Sequence, residues 1–227
     1  MATDHPLDRP VWSALATRQA ALALGDARAR RFAPEYGLFA GAADASPACL
    51  AALAALIPAG GRVGIVEIED MPTPPGVAVV SRALCCQMIA PALAPGEPSF
   101  AITPLTDADA SEMLALATLT EPGPYFARTH QMGDFVGVRQ DGVLVAMAGE
   151  RLKPEGFTEV SAVCTHPDHR GRGYAKGLTR LVAKRILARG ETPFLHVYAH
   201  RSAAIALYET LGFGLRTENT LTVLTRA

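Results

Sequence analysis

The sequence lacks the features that stabilise secreted domains and those that anchor proteins in membranes. Its four cysteines form no C-x-x-C pair, and two of them, Cys85 and Cys86, are adjacent, which favours a reducing compartment. No apolar run reaches the roughly 18 residues that a membrane span needs. The N-terminal stretch MATDHPLDRP is polar, and no signal-peptide core follows it. We therefore expect a cytoplasmic protein with no membrane partner.

The sequence also lacks an excess of charge of either sign. The formal net charge is −1 over 227 residues, so we expect no nucleic-acid partner. Lysine is absent before Phe100, whereas seven basic residues and no acid lie between Arg170 and Arg189. This local excess indicates a small anionic ligand. A hydrophobic content of 49% is enough for a folded core and excludes disorder as the main state.

A proline- and glycine-rich stretch at 91–98 predicts a linker that divides the chain into residues 1–98 and 99–227. The first region has helical patterns at 11–24 and 47–56 and strand patterns at 36–40, 62–68 and 77–89. We find no catalytic constellation in it. We expect it to form a smaller α/β part that precedes the second region.

The second region has clearer signals. Thr106 and Asp109 predict the start of a helix that runs to about residue 119, and Asp141-Gly142 predicts a hairpin. The remaining pattern predicts strands at 135–139, 143–148, 157–165, 194–198 and 221–224, and helices after residue 173 and at 202–211.

The helix after residue 173 is basic and amphipathic. Its apolar face is formed by Ala175, Leu178, Leu181, Val182 and Ile186. Its basic residues from Arg180 to Arg189 are interpreted as a solvated face.

The loop that opens this helix contains Arg170-Gly171-Arg172-Gly173 and follows a predicted strand. A helix N-terminus exposes unpaired N–H groups, and glycine lets the backbone approach a phosphate closely. Arginine adds charge-assisted hydrogen bonds. The segment therefore predicts a pyrophosphate-binding loop.

Two other phosphate-binding motifs fit less well. A Walker A loop needs G-K-[ST], which is absent here. In the dinucleotide fingerprint G-x-G-x-x-G, the third glycine would come one residue earlier than Gly177. A nucleotide-dependent oxidoreductase is therefore disfavoured.

The spacing Arg170-x-x-Gly173-x-Ala175 resembles the [QR]-x-x-G-x-[GA] signature of the GCN5-related N-acetyltransferase (GNAT) superfamily. The run from Ala203 to Phe213 resembles the second signature of that superfamily. The resemblance covers about residues 100–227. It implies an α/β fold of the α+β type, with a twisted, mostly antiparallel sheet flanked by helices. Residues 1–98 fall outside it, and their element order is compatible with a degenerate half-copy of the same fold.

The resemblance implies acetyl-CoA as the cosubstrate and no metal. The strand before the loop would separate from the next strand and pair with the pantetheine arm, and the loop would hold the pyrophosphate. The superfamily usually has asparagine where this chain has Arg201. The implied cofactor contacts are Val163, Cys164, Thr165, Arg170, Gly171, Arg172, Gly173, Tyr174, Ala175, Lys176 and Arg201.

The resemblance also implies the catalytic groups. Tyr208 would be the general acid for the departing thiolate. The general base is either Glu159, eleven residues before Arg170, or His196 on the next strand. For each of these two residues the alternative is a structural hydrogen bond within the sheet.

The remaining candidates are less specific. Tyr125, Phe126 and Arg128 lie where the superfamily commonly forms the acceptor wall, although packing explains a loop of this kind equally well. The histidine pairs His166/His169 and His196/His200 lack the further ligands that a zinc site needs. A strand residue such as Cys164 is usually buried and inert, so we do not expect a nucleophile there.

These observations together predict an acyltransferase that moves an acetyl group from acetyl-CoA to a primary amine by direct attack in a ternary complex. The acceptor would be a small molecule, a peptide or a protein terminus. The alternative is a non-catalytic acyl-CoA-binding regulatory module. The sequence does not indicate the acceptor, the acyl-chain length or the oligomeric state.

Overall fold

The computed structural model describes residues 5–68 and 71–227. Its helices are α1 (Pro10–Ala16), α2 (Pro47–Ala55), α3 (Ala110–Thr120), α4 (Tyr174–Ala188) and α5 (Ser202–Glu209). None of the helices in these ranges has the length and apolar character needed to cross a bilayer. The strands are β1 (Ala23–Gly25), β2 (Ala29–Phe32), β3 (Ala40–Ala42), β4 (Arg62–Glu67), β5 (Val77–Ile89), β6 (Thr103–Leu105), β7 (Phe135–Gln140), β8 (Val143–Glu150), β9 (Phe157–Thr165), β10 (Thr192–Tyr198) and β11 (Gly214–Arg226).

Local sequence signals account for several of these boundaries. The Asp109 carboxylate accepts the N–H of Thr106 at 2.8 Å, which caps the turn that leads into α3. Asp141 and Gly142 have φ values of 51° and 81° and form the tight turn between β7 and β8. Both predictions are confirmed.

The main sheet contains eight strands in the order β4-β11-β5-β10-β9-β8-β7-β6. Only β9 and β10 run parallel to each other, and every other neighbouring pair is antiparallel. Helices lie against this sheet, so the α/β fold with a mostly antiparallel sheet is confirmed.

The N-terminal region contributes two strands to this sheet. β5 lies between β10 and β11 and pairs with β10 over Cys85–Ile89. β4 extends the sheet beyond β11. The small sheet β1-β2-β3 is separate, and a bridge between Phe39 and Gly64 joins its region to β4. The hydrogen-bonded sheet thus spans the boundary predicted at residue 98. The division into regions 1–98 and 99–227, and the origin of 1–98 as a half-copy, stay predictions.

Two layers cover the faces of the main sheet. On one face, Leu178, Val182 and Ile186 of α4 are buried in the largest core cluster, as the helical period predicts. A second cluster contains Val11 and Leu15 of α1 together with Phe32 and Phe39. The N-terminal region therefore supplies one of the layers that enclose the sheet.

The prediction of a solvated basic face on α4 is wrong for Arg180. Arg180 is 7% exposed and donates a hydrogen bond to the carbonyl oxygen of Ala94. Arg189 is exposed as predicted, and it donates to the buried carboxylate of Glu150 at 2.7 Å. Arg180 is buried because the linker at 91–98 lies across α4, which the helical pattern cannot indicate. Lys184 does lie at the surface, where it pairs with exposed Glu97.

We expect Arg180→Ala to lower the free energy of unfolding by about 1–3 kcal/mol, because it leaves a carbonyl of the linker without its donor. Lys184→Ala is the matched control and should change it by less than about 0.5 kcal/mol, since its ion pair is solvated. Urea unfolding of both variants measures the difference. Equal effects would show that the buried contact of Arg180 with the linker contributes no more than the exposed pair of Lys184 does.

Candidate functional site

The central feature of the site is the separation of β9 from β10. The two strands pair only from Phe157–Thr192 to Glu159–Phe194 and then separate. Beyond that point β9 contains a bulge in its pairing with β8, where Ala162 adopts a φ of 53°. A cavity of about 590 Å³ lies here and is lined by residues of both strands. The edge of β9 that faces this cavity can hydrogen-bond an extended ligand.

The loop before α4 forms one end of the cavity wall. Gly171 and Gly173 have φ values of 77° and 78°, the left-handed region that glycine favours. A Cβ at either position would meet no protein atom within 4 Å, so the space beside both is open. Gly173 is the N-cap of α4, whose first N–H groups have no intrahelical partner. With exposed Arg170, Arg172 and Lys176, this loop is suited to a pyrophosphate.

The structure brings all the sequence-predicted cofactor contacts together. Each of them lines the one cavity, although they come from a strand, a loop and the start of two helices. They are Val163, Cys164, Thr165, Arg170, Gly171, Arg172, Gly173, Tyr174, Ala175, Lys176 and Arg201.

Tyr208 of α5 lies in the wall of the same cavity. Its side chain is half-buried, and desolvation raises the pKa of the phenol to about 12. The phenol therefore stays protonated across the physiological pH range and can donate a hydrogen bond.

Glu159 and His196, the two candidate bases, form one hydrogen-bonded pair. His196 Nδ1 lies 2.8 Å from Glu159 Oε1. Arg151 donates to the same carboxylate from Nε and Nη2 at 2.8 and 2.9 Å. His196 lines the cavity, whereas Glu159 is completely buried and does not.

The environment of Glu159 disfavours a role as the base. Burial raises its pKa, but the charge of Arg151 and the hydrogen bonds from His196 and Arg151 outweigh this effect. The net result lowers the pKa of Glu159 to about 2. A carboxylate with this pKa holds a proton too weakly to take one from an ammonium group at neutral pH.

Gln87 of β5 fixes the tautomer of His196. The Gln87 side chain accepts from Arg216 Nη1 at 2.9 Å and donates to the Leu7 carbonyl at 2.8 Å, which orients its amide. Its nitrogen then lies 3.2 Å from His196 Nε2 and can only donate. His196 therefore carries its proton on Nδ1, and Nε2 is the basic nitrogen.

The structure does not bring the predicted acceptor residues into the cavity. Tyr125 packs edge-on against Phe135, and Arg128 lies over the ring of Tyr36 at 4.9 Å. The backbone N–H of Phe126 donates to Thr129. The preceding residues 120–124 line the cavity instead. A substrate role for Tyr125, Phe126 and Arg128 stays a prediction.

One end of the cavity has no signal in the sequence. The residues that line this end come from separate parts of the chain, and no local motif marks any of them. They are Phe39, Val66, Cys85, Arg151, Leu152 and Leu221.

Nucleophilic catalysis by cysteine and metal binding are two further kinds of chemistry to consider at this site. Burial raises the pKa of the Cys164 thiol to about 11, so the thiolate is rare at neutral pH. Within 5–68 and 71–227, no group of three or more His, Cys, Asp or Glu residues could hold a metal ion.

This chain is similar to known acetyltransferases. Residues 135–222 match the family described as FR47-like protein. Over 88 residues the chain is 39% identical to N-alpha-acetyltransferase RimI of Mycobacterium tuberculosis (strain ATCC 25618 / H37Rv). That match covers 36% of this chain and 54% of RimI, so the chain spans about half the length of this curated relative.

Solved structures extend the likeness to the N-terminal region. A GCN5-related N-acetyltransferase from Kribbella flavida shares the fold with a TM-score of 0.65 at 19% identity, over 95% of each chain. A GNAT-family protein from Novosphingobium aromaticivorans DSM 12444 has a TM-score of 0.92 at 45% identity. That likeness covers 99% of this chain and 100% of the other. On this full-length likeness, the chain belongs to the GNAT family of acetyltransferases.

Proposed function

We propose that this protein transfers an acetyl group from acetyl-CoA to a primary amine by direct attack in a ternary complex. The main support for this proposal is that one cavity is lined both by the loop at 170–176 and by His196. A donor bound along β9 and an acceptor beside His196 would meet within it.

The loop and the open edge of β9 fit coenzyme A. The two glycines with positive φ leave open space beside the backbone. Four cationic side chains line the same cavity from the loop, the first turn of α4 and the N-cap of α5: Arg170, Arg172, Lys176 and Arg201. N–H groups at the start of α4 would hold the pyrophosphate, and backbone groups of β9 would hold the pantetheine arm.

We expect Gly173→Val to weaken CoA binding by about 2 kcal/mol or more, because the branched side chain would fill the space that a phosphate needs. Gly190→Val is a matched control, since Gly190 also has a φ of 78° and open space beside it but lies outside the cavity wall. Both variants carry the same backbone strain, and only Gly173→Val should lose affinity in calorimetry. Unchanged CoA affinity in folded Gly173→Val would exclude the loop as the pyrophosphate site.

We assign the base to His196 and a positioning role to Glu159. The Glu159 carboxylate accepts a hydrogen bond from the Nδ1–H group of His196. This hydrogen bond orients the ring and stabilises the imidazolium that forms. Protonation of Nε2 requires the Gln87 amide to give up its contact. Asn219 lies 3.4 Å from Nε2 and has a buried side-chain oxygen with no hydrogen bond among the described residues. Rotation of that amide would give the new N–H an acceptor.

The reaction then needs no covalent enzyme intermediate. The acceptor ammonium loses a proton to His196, and the free amine attacks the thioester carbonyl. The carbon–sulfur bond breaks, Tyr208 donates a hydrogen bond to the departing sulfur, and the attacking nitrogen gives its extra proton to that sulfur. His196 releases the proton that it took from the ammonium to solvent. The products are the acetylated amine and CoA.

The alternative is a regulatory module that binds acyl-CoA without turnover. A thiol-release assay with acetyl-CoA and a panel of amines, amino acids and peptides separates the two. Release that depends on an amine supports the transferase. Tight CoA binding in calorimetry without release from any acceptor supports the module.

A further inference from the structure

Arg151 uses only one of its two hydrogen-bonding edges within the protein. Its side-on edge, formed by Nε and Nη2, donates to both oxygens of Glu159. Its end-on edge consists of Nη1 and the second hydrogen of Nη2. Nη1 makes no hydrogen bond with any residue in 5–68 or 71–227. The two N–H groups of this edge have the spacing that binds a carboxylate through two parallel hydrogen bonds.

The surroundings of this edge are mostly apolar. The Arg151 side chain is 11% exposed, and its guanidinium lies 4.8 Å from the centre of the Phe39 ring. Both residues line the cavity, beside Val66, Leu152 and Leu221. Donors of a desolvated cation in an apolar wall gain more from an anionic partner than donors in water do.

Charge at this end of the cavity selects among amines. Arg151 and Glu159 are ionised and cancel, so a ligand with one ammonium and one carboxylate adds no net charge. A polyamine would bring a second cation towards Arg151. Among the described residues that line the cavity, Glu121 is the one acid, and it lies on the 121–124 loop.

We propose that the end-on edge of Arg151 binds the carboxylate of the acceptor, and that the acceptor is a free amino acid with an apolar side chain. This inference rests on the proposed acetyl transfer. The carboxylate would bind Arg151, the side chain would contact the apolar wall, and the amine would lie beside His196.

The test compares three amino acids with their amides: leucine, methionine and phenylalanine against leucinamide, methioninamide and phenylalaninamide. The members of each pair have the same side chain and nearly the same shape, and they differ in the carboxylate charge and in the basicity of the amine. We expect kcat/KM to be at least tenfold higher for the acids. The comparison is stringent, because the amine of an amide is the more readily deprotonated and would otherwise react faster.

Arg151→Lys keeps the charge opposite Glu159 but removes the planar fork. The acid-to-amide ratio of kcat/KM should then fall towards one. Arg139→Lys makes the same change at an arginine that pairs with Asp109 and Glu112 outside the cavity wall, and it should leave the ratio unchanged. CoA affinity and thermal unfolding check that both variants fold. If Arg151→Lys does not fold, the wild-type ratios decide.

The carboxylate that binds Arg151 could instead belong to the acyl group of the donor, as it would in succinyl-CoA. A second experiment therefore measures the reaction of succinyl-CoA with leucinamide. A preference for succinyl-CoA over acetyl-CoA with no preference for the acids would overturn the acceptor assignment. Equal rates for acids and amides, or turnover of peptides alone, would overturn it while leaving acetyl transfer intact.

If no acceptor is acetylated, the proposed function fails and binding still tests Arg151. The probe is 4-methylpentanoate, which is leucine without its amine, titrated into the CoA-saturated protein alongside 4-methylpentanamide. Binding of the acid at least tenfold more tightly than the amide supports the carboxylate site. Equal binding, or none, overturns it.

Discussion

Tyr208→Phe should lower kcat by about 10²–10³-fold while CoA affinity stays within a few-fold, the pattern expected when a group acts only in the transition state. The variant removes one hydroxyl and little volume. With a phenol pKa of about 12, complete proton transfer to a thiolate whose conjugate acid has a pKa near 8.5 is uphill by roughly 5 kcal/mol. The expected contribution is therefore a hydrogen bond to the sulfur as negative charge develops.

The control for this variant is Tyr36→Phe, which makes the same change at a tyrosine outside the cavity wall. It should leave kcat unchanged. The measurement is single-turnover acetyl transfer with an acceptor for which chemistry limits the rate. An intact kcat in Tyr208→Phe would mean that the thiolate leaves without help from this residue.

Glu159→Gln should lower the free energy of unfolding by about 3–5 kcal/mol, because it leaves Arg151 desolvated and without its counter-charge. Glu159 is 0% exposed, and its two oxygens accept from Arg151, His196 and the backbone N–H of Leu152. Glu97→Gln is the matched control at the exposed pair with Lys184 and should cost less than about 0.5 kcal/mol. Similar losses in the two variants would show that the buried pair does not contribute more than a surface pair.

The same carboxylate predicts an acid-dependent loss of stability. The folded state lowers the pKa of Glu159 from 4.5 to about 2, so the folded state binds its proton less tightly than the unfolded state does. The stabilisation, ~3 kcal/mol, is fully present above pH 4.5 and is lost as the pH falls towards 2. Urea unfolding across this range measures it, and Glu159→Gln should flatten the dependence. An unchanged slope in the variant would assign the acid sensitivity to other carboxylates.

The C-terminal part of the fold could be predicted because its signals are local. The strand at 157–165 has the bounds of β9, and Asp141-Gly142 forms the expected turn. The glycines at 171 and 173, on which the prediction of a phosphate-binding loop depends, lie directly before a helix as expected. Each of these features depends on residues that are neighbours in sequence.

The N-terminal part was predicted less well because its elements are held by distant partners. The helical pattern at 11–24 ends early, since α1 stops at Ala16 and residues 20–22 form a 3₁₀ turn before β1. The strand expected at 36–40 is β3 at Ala40–Ala42. The same holds for one element of the C-terminal part: β11 begins seven residues before the predicted 221 because β5 pairs with its first residues. Pairing with a strand more than a hundred residues away leaves no local pattern to detect.

The sequence by itself determined the family resemblance and the loop that opens α4, since both depend on residue types at fixed short spacings. The mostly antiparallel fold followed from what the resemblance implies. Only the tertiary structure decided which groups meet around His196. Glu159 meets Arg151 and His196, which lie 8 and 37 residues away. Gln87 meets His196 across 109 residues. Burial and the partners brought together by folding determine which carboxylate is paired, which nitrogen is basic and which guanidinium edge remains open. Residue spacing over a short range contains no information about burial or about distant partners.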